Sequence, residues 1–183
     1  MKISTPTLLL DAQADLGEGP AWDAAHNLLY WVDIRAGQLH VTQPQSGADS
    51  TYGLGQSLGC VAPARSGKLL CGLKDSLATL DLPAVMAGGS PAAHLTVISR
   101  PEQHLPGNRF NDGKCGPEGR FLAGTMDNAE VAASGSLYSL GPDGSLNTIL
   151  TSIRISNGLA WSPDYSTFYF IDTPTRQVMA YDY

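Results

Sequence analysis

Arg109-Phe110-Asn111-Asp112-Gly113-Lys114 places four polar or charged residues and a Gly around a single Phe. Taken alone, Asn-Asp-Gly is turn chemistry, and the segment reads as a solvated turn. As part of a buried strand it needs its polar groups satisfied by one another, by a ligand or by a metal. What surrounds the segment decides between these readings. Asn111 leads through the turn Pro117-Glu118-Gly119-Arg120 to Phe121-Leu122-Ala123-Gly124-Thr125, and Ser136-Leu137-Tyr138-Ser139-Leu140 follows as a third strand. The chain repeats this unit.

Upstream, Glu18-Gly19-Pro20-Ala21-Trp22 leads through a turn at Ala24–Asn27 to Leu28-Leu29-Tyr30-Trp31-Val32-Asp33, then to the alternating Gln38-Leu39-His40-Val41-Thr42. Gly59-Cys60-Val61-Ala62-Pro63 leads to Leu69-Leu70-Cys71-Gly72-Leu73 and Leu77-Ala78-Thr79-Leu80. Asn157-Gly158-Leu159-Ala160-Trp161 leads to Thr167-Phe168-Tyr169-Phe170-Ile171-Asp172 and Gln177-Val178-Met179-Ala180-Tyr181. Trp22, Pro63, Cys115 and Trp161 each lie six residues before the second strand of their unit. The leading positions Glu18, Gly59, Asn111 and Asn157 are spaced 41, 52 and 46 residues apart.

A four-strand meander recurring at roughly 40–50 residues is the sequence sign of a propeller blade. The expected fold is all-β: a β-propeller domain spanning 1–183, with about four blades at approximately 16–56, 57–100, 104–150 and 151–183. The Ala-rich segment Pro83–Ala93, broken by Gly88, Gly89 and Pro91, reads as a loop insertion and not a helix. Thr7-Leu8-Leu9-Leu10 reads as a strand ahead of the first unit, of the kind that closes a propeller ring as the outermost strand of the last blade. The fourth unit stops after its third strand at Tyr181-Asp182-Tyr183. An open ring exposes long strand edges, so the expectation is a piece of a longer chain, truncated at its C-terminal side.

Composition narrows the partners. A net charge of -6 and a pI near 5.0 argue against nucleic acid or an anionic membrane. Charged residues make up only 15%, against 20 Gly and 12 Pro, which suits short strands and many turns. Cys60, Cys71 and Cys115 are odd in number and lack CxxC spacing, so neither a disulfide framework nor a zinc knuckle is indicated and a cytoplasmic location is expected. Met1–Pro6 is too polar, and too soon broken by Pro, for a signal peptide. Oligomeric state is left open.

In a propeller the inner strands line a central channel, so equivalent positions of different blades converge. Glu18, Asn111 and Asn157 would then direct oxygens at one place. One carboxylate with two amide carbonyls is hard-ligand chemistry, suited to a divalent cation. Arg109 shares a strand face with Asn111 and can donate to a carbonyl-bearing or negative ligand. The plainer readings are an exposed Gly-flanked turn for Glu18 and a hairpin Asn-Gly for Asn157. Asp112 and Lys114 read as a structural pair or as channel-rim residues. His26 and His40 read as surface residues, His104 as a residue of the loop that could rim the site, and Trp22 and Trp161 as blade core.

Leu16-Gly17-Glu18-Gly19-Pro20-Ala21-Trp22, Tyr30-Trp31-Val32-Asp33-Ile34, Arg109-Phe110-Asn111-Asp112-Gly113-Lys114, Ala123-Gly124-Thr125-Met126 and Ile155-Ser156-Asn157-Gly158-Leu159-Ala160-Trp161 stand in this order. Together they resemble the regucalcin (senescence marker protein) and gluconolactonase family. The resemblance implies a six-bladed propeller with one divalent metal ion (Ca, Zn, Mn, Mg or Fe) in its channel, and hydrolysis of a sugar lactone to the aldonic acid. By motif, Glu18 and Asn157 match metal ligands, and Arg109 and Asn111 match substrate-holding residues. Asp127, after the Gly-Thr-Met motif, matches a further substrate contact. The family's general base, an Asp in a later blade that is also a metal ligand, falls beyond this chain, so no catalytic base is assigned within it. The alternatives are a non-enzymatic propeller binding calcium or a protein partner, and a hydrolase of another ester.

Overall fold

A computed structural model describes residues 5–183; Met1–Ser4, part of the stretch read as too polar for a leader, lie outside the described residues. Four antiparallel sheets follow one another along the chain. β1 (Gly17–Asp23), β2 (Leu28–Asp33), β3 (Gln38–Gln43) and β4 (Ala48–Gly53) form the first, in sequential order. β5 (Leu58–Pro63), β6 (Leu69–Leu73), β7 (Leu77–Leu80) and β8 (Leu95–Ser99) form the second. β9 (Asn108–Cys115), β10 (Phe121–Asp127), β11 (Gly135–Leu140) and β12 (Leu146–Ile153) form the third. β13 (Ser156–Trp161), β14 (Thr167–Asp172) and β15 (Met179–Asp182) form a fourth of three strands. β1 packs against β5, β5 against β9, and β9 against β13. This is a β-propeller arrangement with the first strand of each blade innermost.

Each blade boundary has its own apolar core. Val32, Leu39, Leu58, Leu69 and Leu73 fill the first, Cys60, Phe110, Phe121 and Ala123 the second, and Leu122, Leu137, Leu159 and Phe170 the third. Glycine is required where neighbouring blades nearly touch. A Cβ on Gly59 would lie 2.2 Å from the Phe110 carbonyl oxygen, and one on Gly124 would lie 1.8 Å from Ser156 Oγ.

The inner strands share an irregularity that the sequence spacing only half reveals. Each carries a β-bulge near its start: Gly19-Pro20 between the paired Glu18 and Ala21, Gly59 between Leu58 and Cys60, Asn111 between Phe110 and Asp112, and Gly158 between Asn157 and Leu159. Such bulges bend a strand and re-aim its side chains. Asn111 and Gly59 are therefore the bulged residues themselves, while Glu18 and Asn157 sit in the ladder just before theirs.

Thr7–Leu10, read as a ring-closing strand of a later blade, pairs with none of the described strands, and Leu8 is 81% exposed. Two sequence expectations are corrected. Pro83–Ala93 is not a plain loop, because α1 (Leu82–Met86) opens it. The Asp81 side chain accepts from the Ala84 amide at 3.2 Å, Pro83 occupies the first turn, and Leu82 and Val85 are buried. Gly88 and Gly89 follow the helix instead of interrupting it. His40 is buried, not a surface residue. It stacks on Trp31 with ring centroids 3.7 Å apart, and its Nδ1 lies 2.7 Å from Asp49 Oδ2. Thr42 joins them by donating to Asp49 at 2.5 Å while accepting from Trp31 Nε1 at 2.8 Å.

Gly59→Ala in the full-length protein is expected to lower stability by about 1–3 kcal/mol, since the added methyl meets backbone that cannot rotate away. Denaturant unfolding checks this, and an unchanged midpoint would contradict the packing described.

Candidate functional site

The segment entering each inner strand is held by an Asp at the end of the second strand in two of the four blades. Asp33 accepts from the Asp15, Leu16 and Ala36 amides at 2.8, 3.1 and 3.3 Å, which anchors the approach to Glu18. Asp172 accepts from the Arg154 and Ile155 amides at 3.1 and 2.8 Å, which anchors the approach to Asn157. Burial raises the Asp33 carboxyl, but the three amide bonds, aided by the charge of His40, outweigh it and leave it below its ordinary value.

The approach to Arg109 is built from polar residues of which only Thr125 belongs to a motif quoted above. Glu102 is buried and accepts from Asn108 Nδ2 at 2.9 Å, Thr125 Oγ1 at 2.6 Å and the Tyr138 hydroxyl at 2.9 Å. Burial, with the Glu102 carboxylate beside it, pushes the Tyr138 phenol up to about 12. Asn108 Oδ1 accepts from Ser134 Oγ at 2.7 Å. Lys74, from the neighbouring blade, donates to the Pro106 carbonyl at 2.7 Å and also to that of Asn108. Four blade-three residues and one from blade two thus fix the start of β9. The only sequence sign was an acid in a loop.

Arg109 is 6% exposed. Its Nε donates to Asn128 Oδ1 at 2.9 Å, and its Nη1 donates to the Phe110 carbonyl at 3.1 Å and to Asn111 Oδ1 at 2.7 Å. Nη2 makes no hydrogen bond among the described residues. Burial lowers the guanidinium pKa and Arg35 adds to that, with Glu130 and Glu18 opposing; an Arg so placed stays cationic. Glu18, Arg35 and Glu130 thus each lie within electrostatic reach of Arg109, although Glu18 and Arg35 are far from it in sequence.

Asn111 bridges blades: Oδ1 receives Arg109, and Nδ2 donates to the Ser156 carbonyl at 2.8 Å. Asp112 also crosses, accepting from Gly158 N at 2.8 Å through Oδ2 and from Gly113 N at 2.8 Å through Oδ1. Burial pushes the Asp112 carboxyl up, against these two amide bonds and the charge of Lys114. Lys114 is exposed and makes no ion pair with Asp112, so of the two readings of that pair the structural salt bridge is absent among the described residues.

A groove of about 420 Å³ runs along the inner strands, lined by Glu18, Trp22, Val61, Asp112 and Lys114 among others. Trp22 is on this wall and 49% exposed, which corrects its reading as blade core; Trp161 does pack with the core at the third boundary. Arg109, Asn111 and Asn157 lie off the groove wall. Asn157 is half-buried, and among the described residues its Oδ1 takes only the adjacent Gly158 amide, at 3.1 Å. Asp127 is turned into its own loop, accepting from the Ala129, Val131 and Ala132 amides at 3.1, 3.1 and 2.9 Å. The residue of that loop that reaches Arg109 is Asn128. His104 is exposed.

The donor set has the chemistry for an oxygen-preferring divalent cation. Glu18 is an exposed carboxylate with no hydrogen bond among the described residues, and Asn157 Oδ1 retains a lone pair. No cluster of three or more His, Cys, Asp or Glu exists among the described residues, so Glu18 and Asn157 alone do not make a complete coordination shell. No described helix is long and apolar enough to cross a membrane.

Asp33→Asn is expected to cost about 1 kcal/mol near neutral pH, because one part-buried amide loses its acceptor. A carboxyl depressed by folding stabilises fully above its unfolded value of about 4, and that stabilisation is lost as pH falls through the lower folded value. The gap between wild type and Asp33→Asn in chemical denaturation should therefore narrow as pH drops through that range. A gap independent of pH would contradict the assignment.

Residues 16–183 match the family model described as SMP-30/Gluconolactonase/LRE-like region. A 6-deoxy-6-sulfogluconolactonase of Pseudomonas putida is 34% identical over 91% of this chain and 54% of its own length. The pentonolactonase XacC of Haloferax volcanii is 34% identical over 98% of this chain and 57% of its own. Among solved structures, a calcium-binding protein, regucalcin, from Agrobacterium tumefaciens superposes with a TM-score of 0.85 at 31% identity, over 96% of this chain and 56% of that one. The chain spans little more than half the length of these relatives. It belongs to the SMP-30/gluconolactonase/LRE-like family.

Proposed function

We propose that the full-length protein hydrolyses a sugar lactone to its aldonic acid, with a divalent metal ion held by Glu18 and Asn157 and the sugar held by Arg109 and Asn111. The observation that carries this reading is the Arg109–Asn111 pair, fixed from both sides on the inner strand of one blade and bonded to the blade that bears Asn157. Relatives named as lactonases of two different sugar acids support the substrate class.

Glu18 brings a carboxylate oxygen and Asn157 an amide carbonyl oxygen to the cation. When bound there, the cation supplies Lewis-acid polarisation of an acyl oxygen. Arg109 is anchored through Nε and Nη1, which leaves the Nη2 hydrogens to donate to a sugar hydroxyl or ring oxygen. The second lone pair of Asn111 Oδ1 accepts from a sugar hydroxyl, and its fixed amide keeps that acceptor from turning away. Asp127 contributes by shaping the loop that delivers Asn128 to Arg109. The proton of the attacking water goes to the inner-strand Asp that the family resemblance places in a later blade. The three thiols and the acidic charge fit a reducing, cytoplasmic setting with a small sugar lactone as partner.

A calcium-binding role without turnover is the second reading, favoured by the name of the Agrobacterium relative. Metal-stripped full-length protein is expected to regain lactone hydrolysis on addition of Mn²⁺ or Zn²⁺; binding of Ca²⁺ with no turnover under any metal would favour the second reading. Glu18→Gln is expected to lower both metal content and kcat/KM at least about 100-fold, beyond what loss of an outer partner costs. Unchanged turnover and metal content would sink the assignment of Glu18.

A further inference from the structure

The Gly158 amide is contested. It is the bulge residue of β13, with φ +59, so its N–H is released from the ladder with β14 and needs an acceptor elsewhere. Two oxygens compete for it: Asp112 Oδ2 at 2.8 Å and Asn157 Oδ1 at 3.1 Å. The shorter bond goes to the carboxylate, the stronger acceptor of the two. The Asn157 oxygen is the one proposed above as a metal ligand, and a short side chain folding back onto the amide that follows it is ordinary local chemistry for Asn. Asn111, the neighbour of Asp112, meanwhile holds the Ser156 carbonyl at 2.8 Å. Two consecutive residues of β9 therefore bond to the main chain on either side of Asn157.

We propose that Asp112 is a positioning residue that shares the Gly158 amide with Asn157 and, as the stronger acceptor, weakens its hold on the Asn157 carbonyl oxygen, which keeps a lone pair available to act as a ligand. The consequence for metal rests on the reading of Asn157 given above; the claim about the amide does not. Asp112 touches neither cation nor sugar in this role. With Asp112 removed, Asn157 Oδ1 becomes the sole acceptor for Gly158, and its turn toward its own backbone withdraws it from the channel. Glycine also suits 158 because φ there is +59, a left-handed conformation that strains other residues, which ties the bulge and its released amide to this position.

The test uses full-length protein carrying Asp112→Ala, Asp112→Asn or Asp49→Ala, the last as a control in the remote buried His40 cluster. Mn²⁺ affinity is read by titration calorimetry, the Gly158 amide by hydrogen exchange, and stability by thermal melting. Asp112→Ala should weaken Mn²⁺ binding about 10–100-fold, the range for loss of an outer partner of a ligand, and should speed exchange at Gly158. Asp112→Asn, a neutral and weaker acceptor, should fall between Ala and wild type, and serves as the test if the Ala variant does not fold. Asp49→Ala should lower the melting temperature with Mn²⁺ affinity unchanged. Mn²⁺ affinity in either Asp112 variant within about twofold of wild type would overturn the proposal, as would Gly158 exchange at the wild-type rate. If Asn157→Ala leaves Mn²⁺ binding intact, the ligand reading of Asn157 is what fails, and exchange at Gly158 alone then decides the claim about the amide.

Discussion

The close approach of inner strands is the constraint on which the rest of this molecule depends. Blade two meets blade three with the Phe110 carbonyl occupying the space a side chain at 59 would need, and Ser156 of blade four sits in the corresponding space over Gly124 of blade three. Gaps this narrow leave no room for a side chain. They bring the polar side chains of one inner strand within hydrogen-bonding distance of the backbone of the next, which is how Asn111 and Asp112 reach Ser156 and Gly158. The same packing that closes the apolar core between blades therefore sets the geometry of the polar residues along the channel.

The bulges convert that packing into a site. In a regular antiparallel ladder the inner strand, an edge strand, spends the amides and carbonyls of alternate residues on the second strand. One extra residue in each inner strand releases a few of those groups and redirects the side chains beside them. In β13 the released amide is shared by Asp112 and Asn157; in β9 the bulged residue is Asn111 itself. The anchoring carboxylates Asp33 and Asp172 hold the incoming backbone just ahead of β1 and β13, so the positions of Glu18 and Asn157 are determined from outside the strands that carry them.

Blade number, strand order and the inner location of Glu18, Asn111 and Asn157 were legible because the apolar periodicity and the turn residues recur at a fixed spacing. The one-residue offset of the bulges was not, since a bulge adds a residue without changing the pattern of residue types around it. Trp22 and Trp161 occupy matching places in the repeat, yet one lines an open groove and the other packs in a core; which neighbour covers each is a tertiary fact. The burial of His40 is hidden in the sequence for a related reason. In an alternating strand a His looks solvent-facing, and only the arrival of Asp49, from the next strand, with Trp31 below it makes burial tolerable. Glu102, Asn108 and Asn128 escaped notice because loop polar residues carry no spacing signal, although together they hold Arg109 in place. The helix at Leu82–Met86 was obscured by the glycines that terminate it.

The account's central claim is that Glu18 and Asn157, on strands far apart in sequence, face one cation. Crystals of the full-length protein soaked in Mn²⁺ and measured for anomalous scattering test it directly. The prediction is a peak within about 2.2 Å of a Glu18 carboxylate oxygen and of Asn157 Oδ1, with Asp112 bonded to the Gly158 amide and not to the metal. A peak that contacts neither residue, or soaked crystals that show none in the channel, would contradict it.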